Sequence, residues 1–515
     1  MAINYFSHIK KYINNFFEKI EPYCEDINII YAKPKREEYD KLLEFYAGSI
    51  KQNPTDASAY YNLGQIHHKK GQSEEAVKAF TRAIELEPNY SFAYTARGES
   101  YASIEQFDVS LKDFQKAAEL NPKNPAVFSG LGNVYRKQGK YDEAINNFND
   151  ALALSGENAS AFSGRAMAYM YKGELENAVA DFTRAIELNP NDDYSYTNRG
   201  IAYRKLNDID NAVKDFNKSL EIEPGSSFAL SNRGMVYRIM LNEEAAVKDF
   251  EEAVKNNPED SFAHYNLANL YKYQGFSDKS FDEIEKAIED NHKFAPAFLM
   301  RAYIFCEKGE YDKALEDVRL AEKLMSGMYF VHFFKGYIKH ILKDFNGAMH
   351  NYAKAIELKN DVPEIIYAYG LSSLAAKNFR LADSNFTKAI DLGFKNAEIY
   401  TARGQSFLLV RNNTLAVKDF NEALLLDNTL TEAHYMRGES YFYLKEYKIA
   451  YKEFIECIDR DYQKAESLYF AASSCYELEK YRDAISYFTK AKDAGYPVFD
   501  IYKRRAKAYL KVDEI

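Results

Sequence analysis

The chain has 515 residues with a formal net charge of −10, 28% charged residues and four cysteines. That acidic balance argues against a nucleic-acid partner, which calls for a basic surface. Cys24, Cys306, Cys457 and Cys475 show no metal-ligand spacing, so no metal is expected, and Cys457 and Cys475 read as buried thiols of a reducing compartment, here the cytoplasm.

The first predicted element is an amphipathic helix over residues 1–21, where Ile3, Phe6, Ile9, Ile13, Phe16, Phe17 and Ile20 recur at helical spacing. It lacks the unbroken apolar stretch and small-residue cleavage site of a signal peptide. It is expected to pack on the first repeats; the other reading is a weak membrane anchor. No run approaches the ~18 apolar residues of a membrane span, so no transmembrane segment is expected.

Beyond it the chain keeps a single ruler. The string RGESY stands at residues 97–101 and 437–441, ten times 34 residues apart. FTRAIEL begins at Phe80 and Phe182, three times 34 apart, and VKDFN at Val213 and Val417, six times 34 apart. A catalytic motif has no reason to recur on a fixed period, whereas a structural repeat does. Counting Ala57 as slot 1, slot 8 is always glycine or alanine, as in Gly64, Gly98, Ala166 and Ala506. Slot 20 is always alanine or serine, and slot 24 is aromatic from Phe80 to Phe488 except at Ile284 and Val318. Each unit therefore holds two helical runs, around slots 1–14 and 15–28, with a break such as Lys70-Gly71-Gln72 between them. Glycine there ends the first helix in a left-handed turn, and proline at slot 32, as in Pro88 and Pro190, stops the second.

Small-x-x-Tyr in the first helix, then Ala-x-x-x-Phe-x-x-Ala and Pro in the second, resembles the tetratricopeptide repeat (TPR). The resemblance covers residues 57–498 as thirteen repeats. Residues 22–56 read as a degenerate first repeat, with Tyr46, Ser49 and Pro54 in phase, and residues 499–515 as a capping helix. Where the family often has tryptophan, slot 4 holds Tyr60, Phe128, Tyr196 and similar rings, and also His264, His332 and His434, which are expected to pack rather than bind metal. The resemblance implies an all-α, right-handed α-solenoid superhelix of helix-turn-helix repeats.

RGESY has its own logic. Arginine fills slot 7 in seven repeats, Arg97, Arg165, Arg199, Arg233, Arg301, Arg403 and Arg437, and slot 23 of those repeats is always acidic, Asp113 to Glu453. In the six complete repeats without that arginine only Glu283 is acidic. A planar guanidinium binds carboxylate bidentately, so an Arg–carboxylate pair is expected across the two helices of one repeat. Ser100 and Ser440 have no histidine partner at a repeated position, and no G-x-S-x-G turn exists. No converging set of acids, bases or ligands marks an enzyme, and no cofactor is expected.

In the family, slots 2, 5, 6, 9, 12 and 13 face the inner surface of the superhelix. Within residues 125–294 these slots hold Asn133, Arg136, Lys137, Asn198, Arg204, Lys205, Asn232, Arg238, Asn266, Asn269 and Lys272, a polar and basic lining in an acidic chain. Within residues 295–361 they turn apolar, with Leu299, Met300, Tyr303, Phe330, Phe333, Phe334, Tyr337 and Ile341. Asn198, Asn232 and Asn266 share slot 6 of three consecutive repeats. They resemble the asparagine ladder with which some superhelical members grip a peptide backbone, since an amide both donates and accepts. The aromatic stretch either binds apolar side chains or packs on itself. The five-residue carboxylate clamp that other members use for chaperone C-termini is absent. The expected function is a non-enzymatic scaffold or adaptor that binds a protein or extended peptide in its concave groove. A self-associating structural oligomer is the alternative, and a regulatory subunit of an enzyme complex a third reading.

Overall fold

The structure, a computed structural model, describes residues 9–13 and 36–513. Within them the regular elements are all helical. Helix Arg36–Gln52 is followed by thirteen helix pairs, from Ala57–Lys69 with Ser73–Leu86 to Lys464–Glu477 with Tyr481–Asp493, and then by helix Val498–Asp513. The first helix that would complete a repeat over residues 22–56 lies outside the described residues, as does most of the amphipathic segment 1–21.

Local chemistry sets the helix ends. Asp56, Asn158 and Ser226 each accept a hydrogen bond from the backbone N–H three residues on, which satisfies a donor the helix leaves open. At the turn inside the first pair, Gly71 has φ 75°, and Gly71 N–H and Gln72 N–H donate to His68 and His67 carbonyls at 2.9 Å. Repeats that lack the glycine make the same turn. Leu241 has φ 58°, with Leu241 N–H on the Arg238 carbonyl at 2.9 Å and Asn242 N–H on the Tyr237 carbonyl at 2.8 Å. The closing bonds thus impose a left-handed conformation that costs an L-residue ~1–2 kcal/mol.

Packing explains the invariant slots. The Phe80, Phe114, Phe148, Phe182, Phe216 and Phe250 rings are fully buried. A Cβ on Gly64 would stand 2.7 Å from the Phe80 ring, and one on Gly200 2.8 Å from Phe216, so slot 8 stays small because slot 24 lies on it. The same ring also meets the next repeat. A Cβ on Gly164, at slot 6, would stand 2.5 Å from Phe148, and Phe470 at slot 6 stacks on Phe454 at 5.1 Å. Slot 6 therefore sits on the seam between repeats, over the ring of the repeat before.

The arginine lock is within one repeat, as the covariation requires. Arg97 donates from Nε and Nη2 to Asp113 at 2.7 and 2.8 Å. Bidentate pairs of the same form join Arg165 to Asp181, Arg199 to Asp215, Arg233 to Asp249, Arg301 to Asp317 and Arg403 to Asp419, while Arg437 reaches Glu453 at 2.8 Å. The remaining nitrogen does something the pairwise pattern did not suggest. Nη1 of Arg97, Arg199 and Arg403 donates to Thr81, Thr183 and Thr387 of the preceding repeat at 3.0–3.1 Å. One guanidinium thus closes its own hairpin and ties it to its neighbour.

By packing, the helices fall into two compact units, Asp26–Asn291 and Met1–Glu25 with His292–Ile515. The first is the polar unit below and the second the aromatic unit. In the last helix Ile501 and Ala508 are buried, whereas Tyr502, Tyr509 and Leu510 are exposed. Its packing face is therefore that of Ile501 and Ala508.

Candidate functional site

In the polar unit the inner helices leave a cavity of about 1050 Å³. Asn133, Arg136, Ser163, Met167 and Thr197 line it together with the acids Asp192, Asp193, Glu223, Glu259 and Asp260. Asp192, Asp193 and Asp260 stand where the inner helices begin, while Glu223 caps the end of the outer helix Ile209–Ile222 and Glu259 lies just before Asp260. Asp260 caps its helix by accepting from Phe262 and Ala263 N–H at 3.2 and 3.1 Å, a position where the helix dipole favours negative charge. Burial, then the neighbouring Asp192 and Glu223, raises the Asp193 carboxyl above its usual range. Arg204, Lys205, Arg238 and Lys272 lie at the other end of the same helices, eleven or twelve residues on, or ~17 Å. The inner face is therefore acidic along one margin and basic along the other. Slot reading missed the acidic margin because slots 31, 33, 34 and 1 were not counted as inward.

The asparagines lie between the margins, deeper than a solvated row. Asn198, Asn232, Asn266 and Asn269 are all buried. The first three hold one conformation. Each Nδ2 donates to the carbonyl four residues back, Tyr194, Phe228 and Phe262, at 2.8–2.9 Å. Oδ1 of Asn232 and of Asn266 is buried and accepts no hydrogen bond. The seam accounts for the depth, since slot 6 covers the preceding ring.

In the aromatic unit Phe330, Phe333 and Phe334 are fully buried and Tyr337 is half-buried. Phe330 stacks on Phe334 at 6.0 Å, Phe334 on Tyr337 at 6.2 Å, and Phe333 lies 5.9 Å from the slot 24 ring of Tyr352. Of the two readings offered for this stretch, self-packing describes these rings. The helical turn at residues 9–13 joins them: Tyr12 meets Phe333 edge-on at 5.4 Å. Residues 9–13 thus meet the helix Tyr329–Ile341, through Tyr12; the rest of the segment 1–21 lies outside the described residues. A contact between residues more than 300 positions apart has no local signature.

Of the two RGESY serines, Ser100 does meet a histidine, contrary to the sequence reading, while Ser440 donates to the Met436 carbonyl and has Leu408 where Ser100 has His68. His68 Nδ1 lies 2.9 Å from Ser100 Oγ, and His340 Nδ1 2.7 Å from Ser372 Oγ, the same slots eight repeats later. Ser100 donates its own proton to the Ala96 carbonyl at 2.9 Å, so it accepts from the imidazole. That polarity is the reverse of an activated nucleophile, and Ser100 is fully buried. The motif's glutamates face the concave side. Glu99 is open to solvent on one side and enclosed by protein on the others, and burial lifts its carboxyl to about 7. Glu439 is likewise raised by burial to about 7, with Arg411 opposing. The histidines of slot 4 bond to protein: His264 to Glu283 at 2.6 Å and His434 to Glu453 at 2.7 Å, both glutamates of slot 23. Burial works against the His264 cation, but the bond to Glu283 outweighs it and raises its pKa.

Family models described as tetratricopeptide repeat match residues 57–90, 159–192, 194–226, 229–260 and 331–362, and one described as TPR repeat matches 98–139 and 132–170. The chain belongs to the tetratricopeptide repeat family. The TPR phase of those matches is the phase of the buried rings. A model of anaphase-promoting complex, cyclosome, subunit 3 matches residues 415–491. No curated protein matches the chain. Solved structures similar to this TPR chain include a human IFIT1 dimer with PPP-AAAA, at 19% identity, 76% of this chain, 95% of that chain and a TM-score of 0.45. The APC/C hetero-tetramer Cut9-Hcn1 is similar at 15% identity, 87% and 93% coverage and 0.45. YrrB, a TPR protein with an unusual peptide-binding site, is 28% identical over 36% of this chain and 96% of its own, with a TM-score of 0.30. Among the described residues no helix is long and apolar enough to cross a membrane.

Proposed function

We propose that this TPR chain is a non-enzymatic scaffold that holds an extended protein segment against the inner face of the polar unit. The observation that carries the reading is the row of three asparagines in one conformation, two of which keep a buried carbonyl oxygen without a bond. Buried polar atoms are nearly always satisfied, so this repeated exception marks the row; Asn232 and Asn266 are 1% and 0% exposed, and a peptide N–H reaches their Oδ1 only when the side chains that cover them move aside. Arg204, Lys205, Arg238 and Lys272 favour acidic side chains along their margin, and Asn269 extends the polar strip. The net charge of −10 favours a protein partner over nucleic acid. The free thiols of Cys306, Cys457 and Cys475 suit a reducing cytoplasm.

The alternative of a self-associating oligomer drew on the aromatic stretch, whose rings are taken up by packing within the chain. To test the scaffold reading, a random peptide display library is panned on the full chain and the selected peptides are measured by calorimetry. Replacing Asn198, Asn232 and Asn266 together by alanine removes backbone hydrogen bonds worth ~0.5–1.5 kcal/mol each and is expected to weaken binding roughly 10- to 1,000-fold. Affinity is also expected to fall with added salt. Unchanged affinity in a folded triple variant overturns the ladder.

A further inference from the structure

The aromatic unit carries a second inner face, and part of this chain already occupies it. Ile9 and Ile13 of the turn at residues 9–13 are 0% and 1% exposed. Tyr12 between them meets Phe333 edge-on at 5.4 Å, and its hydroxyl lies 3.2 Å from that of Tyr329. Lys10 points the other way, with Nζ 3.6 Å from Glu307 Oε1. Ile9, Tyr12 and Ile13 are spaced i, i+3, i+4, the stripe that one face of a helix presents to a groove. The rim is acidic: besides Glu307, both Asp361 and Glu364 act on Tyr12.

The wall rings also pack on one another, Phe330 against Phe333 and Phe334, and Phe333 against Tyr352, and the segment adds Tyr12 to them. One feature distinguishes this from ordinary core packing. The segment reaches the wall from more than 300 residues away, through a side-chain set that combines an apolar stripe with one complementary charge. Such a set is how a separate amphipathic peptide is recognised.

We propose that the inner face of the aromatic unit, built by helices Ala295–Glu307 and Tyr329–Ile341, is a binding site for a short amphipathic helix of the pattern Ile-Lys-x-Tyr-Ile, and that this chain's own N-terminal segment fills it in cis as a detachable occupant. The site is distinct from the asparagine row of the polar unit, so either can fail without the other.

The full-length chain carrying Ile9→Asp and Ile13→Asp keeps every residue of the wall and gives up the apolar stripe. A labelled peptide of residues 1–21 is titrated against this variant and against the native chain, with fluorescence anisotropy as the readout. The variant is expected to bind the peptide at least tenfold more tightly than the native chain, whose site is occupied. Glu307→Lys added to the variant is expected to weaken that binding, and a Lys10→Glu peptide to restore it. A wall that served only as packing would not show this charge exchange. Equal binding to native and variant chains, binding to neither, or no rescue by the exchanged charge overturns the proposal. A native dimer in light scattering that the two aspartates dissociate would put the segment in a second copy and overturn the cis arrangement.

Discussion

The polar unit and the aromatic unit are built on one ruler and lined by opposite chemistry. In both, a buried slot 24 ring lies on a small slot 8, as Phe216 does on Gly200 and Phe420 on Gly404. In both, slot 7 arginine is locked to slot 23 acid, as in Arg199 with Asp215 and Arg403 with Asp419. Slot 6, by contrast, holds Asn198, Asn232 and Asn266 in one unit and Met300 and Phe334 in the other. The comparison teaches that the residues which make the repeat and those which line it vary independently. The first set is confined by steric contact inside a helix pair. The second meets whatever covers the concave side, so an apolar lining must be covered, here by its own rings and by the turn at residues 9–13, while a polar lining tolerates water or a partner.

The independence breaks if the same deletion costs different amounts in the two units. Phe216→Ala and Phe420→Ala are each expected to destabilise their repeat by ~3–5 kcal/mol. In an array this is expected as local unfolding around the site rather than global loss. Hydrogen exchange resolved by repeat is the measurement, and a cost confined to one unit would show that lining and core are coupled.

The arginine lock gives the next largest effect. Asp215→Ala leaves the Arg199 guanidinium, whose side chain is 16% exposed, without its bidentate partner. The expected loss is ~2–4 kcal/mol, with Asp419→Ala losing as much in the other unit. Pairing Asp215→Ala with Arg199→Leu removes the stranded charge and is expected to recover most of the loss in denaturant unfolding.

The smallest effect sharpens the comparison by pH. Burial holds the Glu99 carboxyl in the polar unit and the Glu439 carboxyl in the aromatic unit near 7, above the ordinary value of ~4.3. A raised carboxyl favours the protonated fold. Its full contribution is present below the unfolded value and is lost as pH rises through about 7. Glu99→Gln and Glu439→Gln are therefore expected to raise the Tm at pH 8.5 by ~1–2 °C and to leave it unchanged at pH 4. A shift at both pH values would mean that the glutamine packs differently, not that it relieves a charge.

The repeat, its phase, its buried rings and its arginine–carboxylate pairs were all readable in the linear sequence. Each of them depends on residues within one 34-residue unit, and copying that unit many times turns a weak local pattern into an unambiguous one. Even the left-handed turn is local, although its residue is not always glycine, because the backbone hydrogen bonds around Leu241 impose it. Tertiary structure decided the rest. Slot 6 proved to lie on the seam, which buries Asn198, Asn232 and Asn266, because a side chain's exposure depends on the ring of the previous repeat as well as on its own helix face. His68 met Ser100 across that same seam. The acids of the cavity gathered because the loops that enter successive inner helices lie side by side. Tyr12 found Phe333, a contact that no period encodes: a segment used once, and bound far from its place in the chain, is placed by the surface it complements and not by its neighbours in sequence.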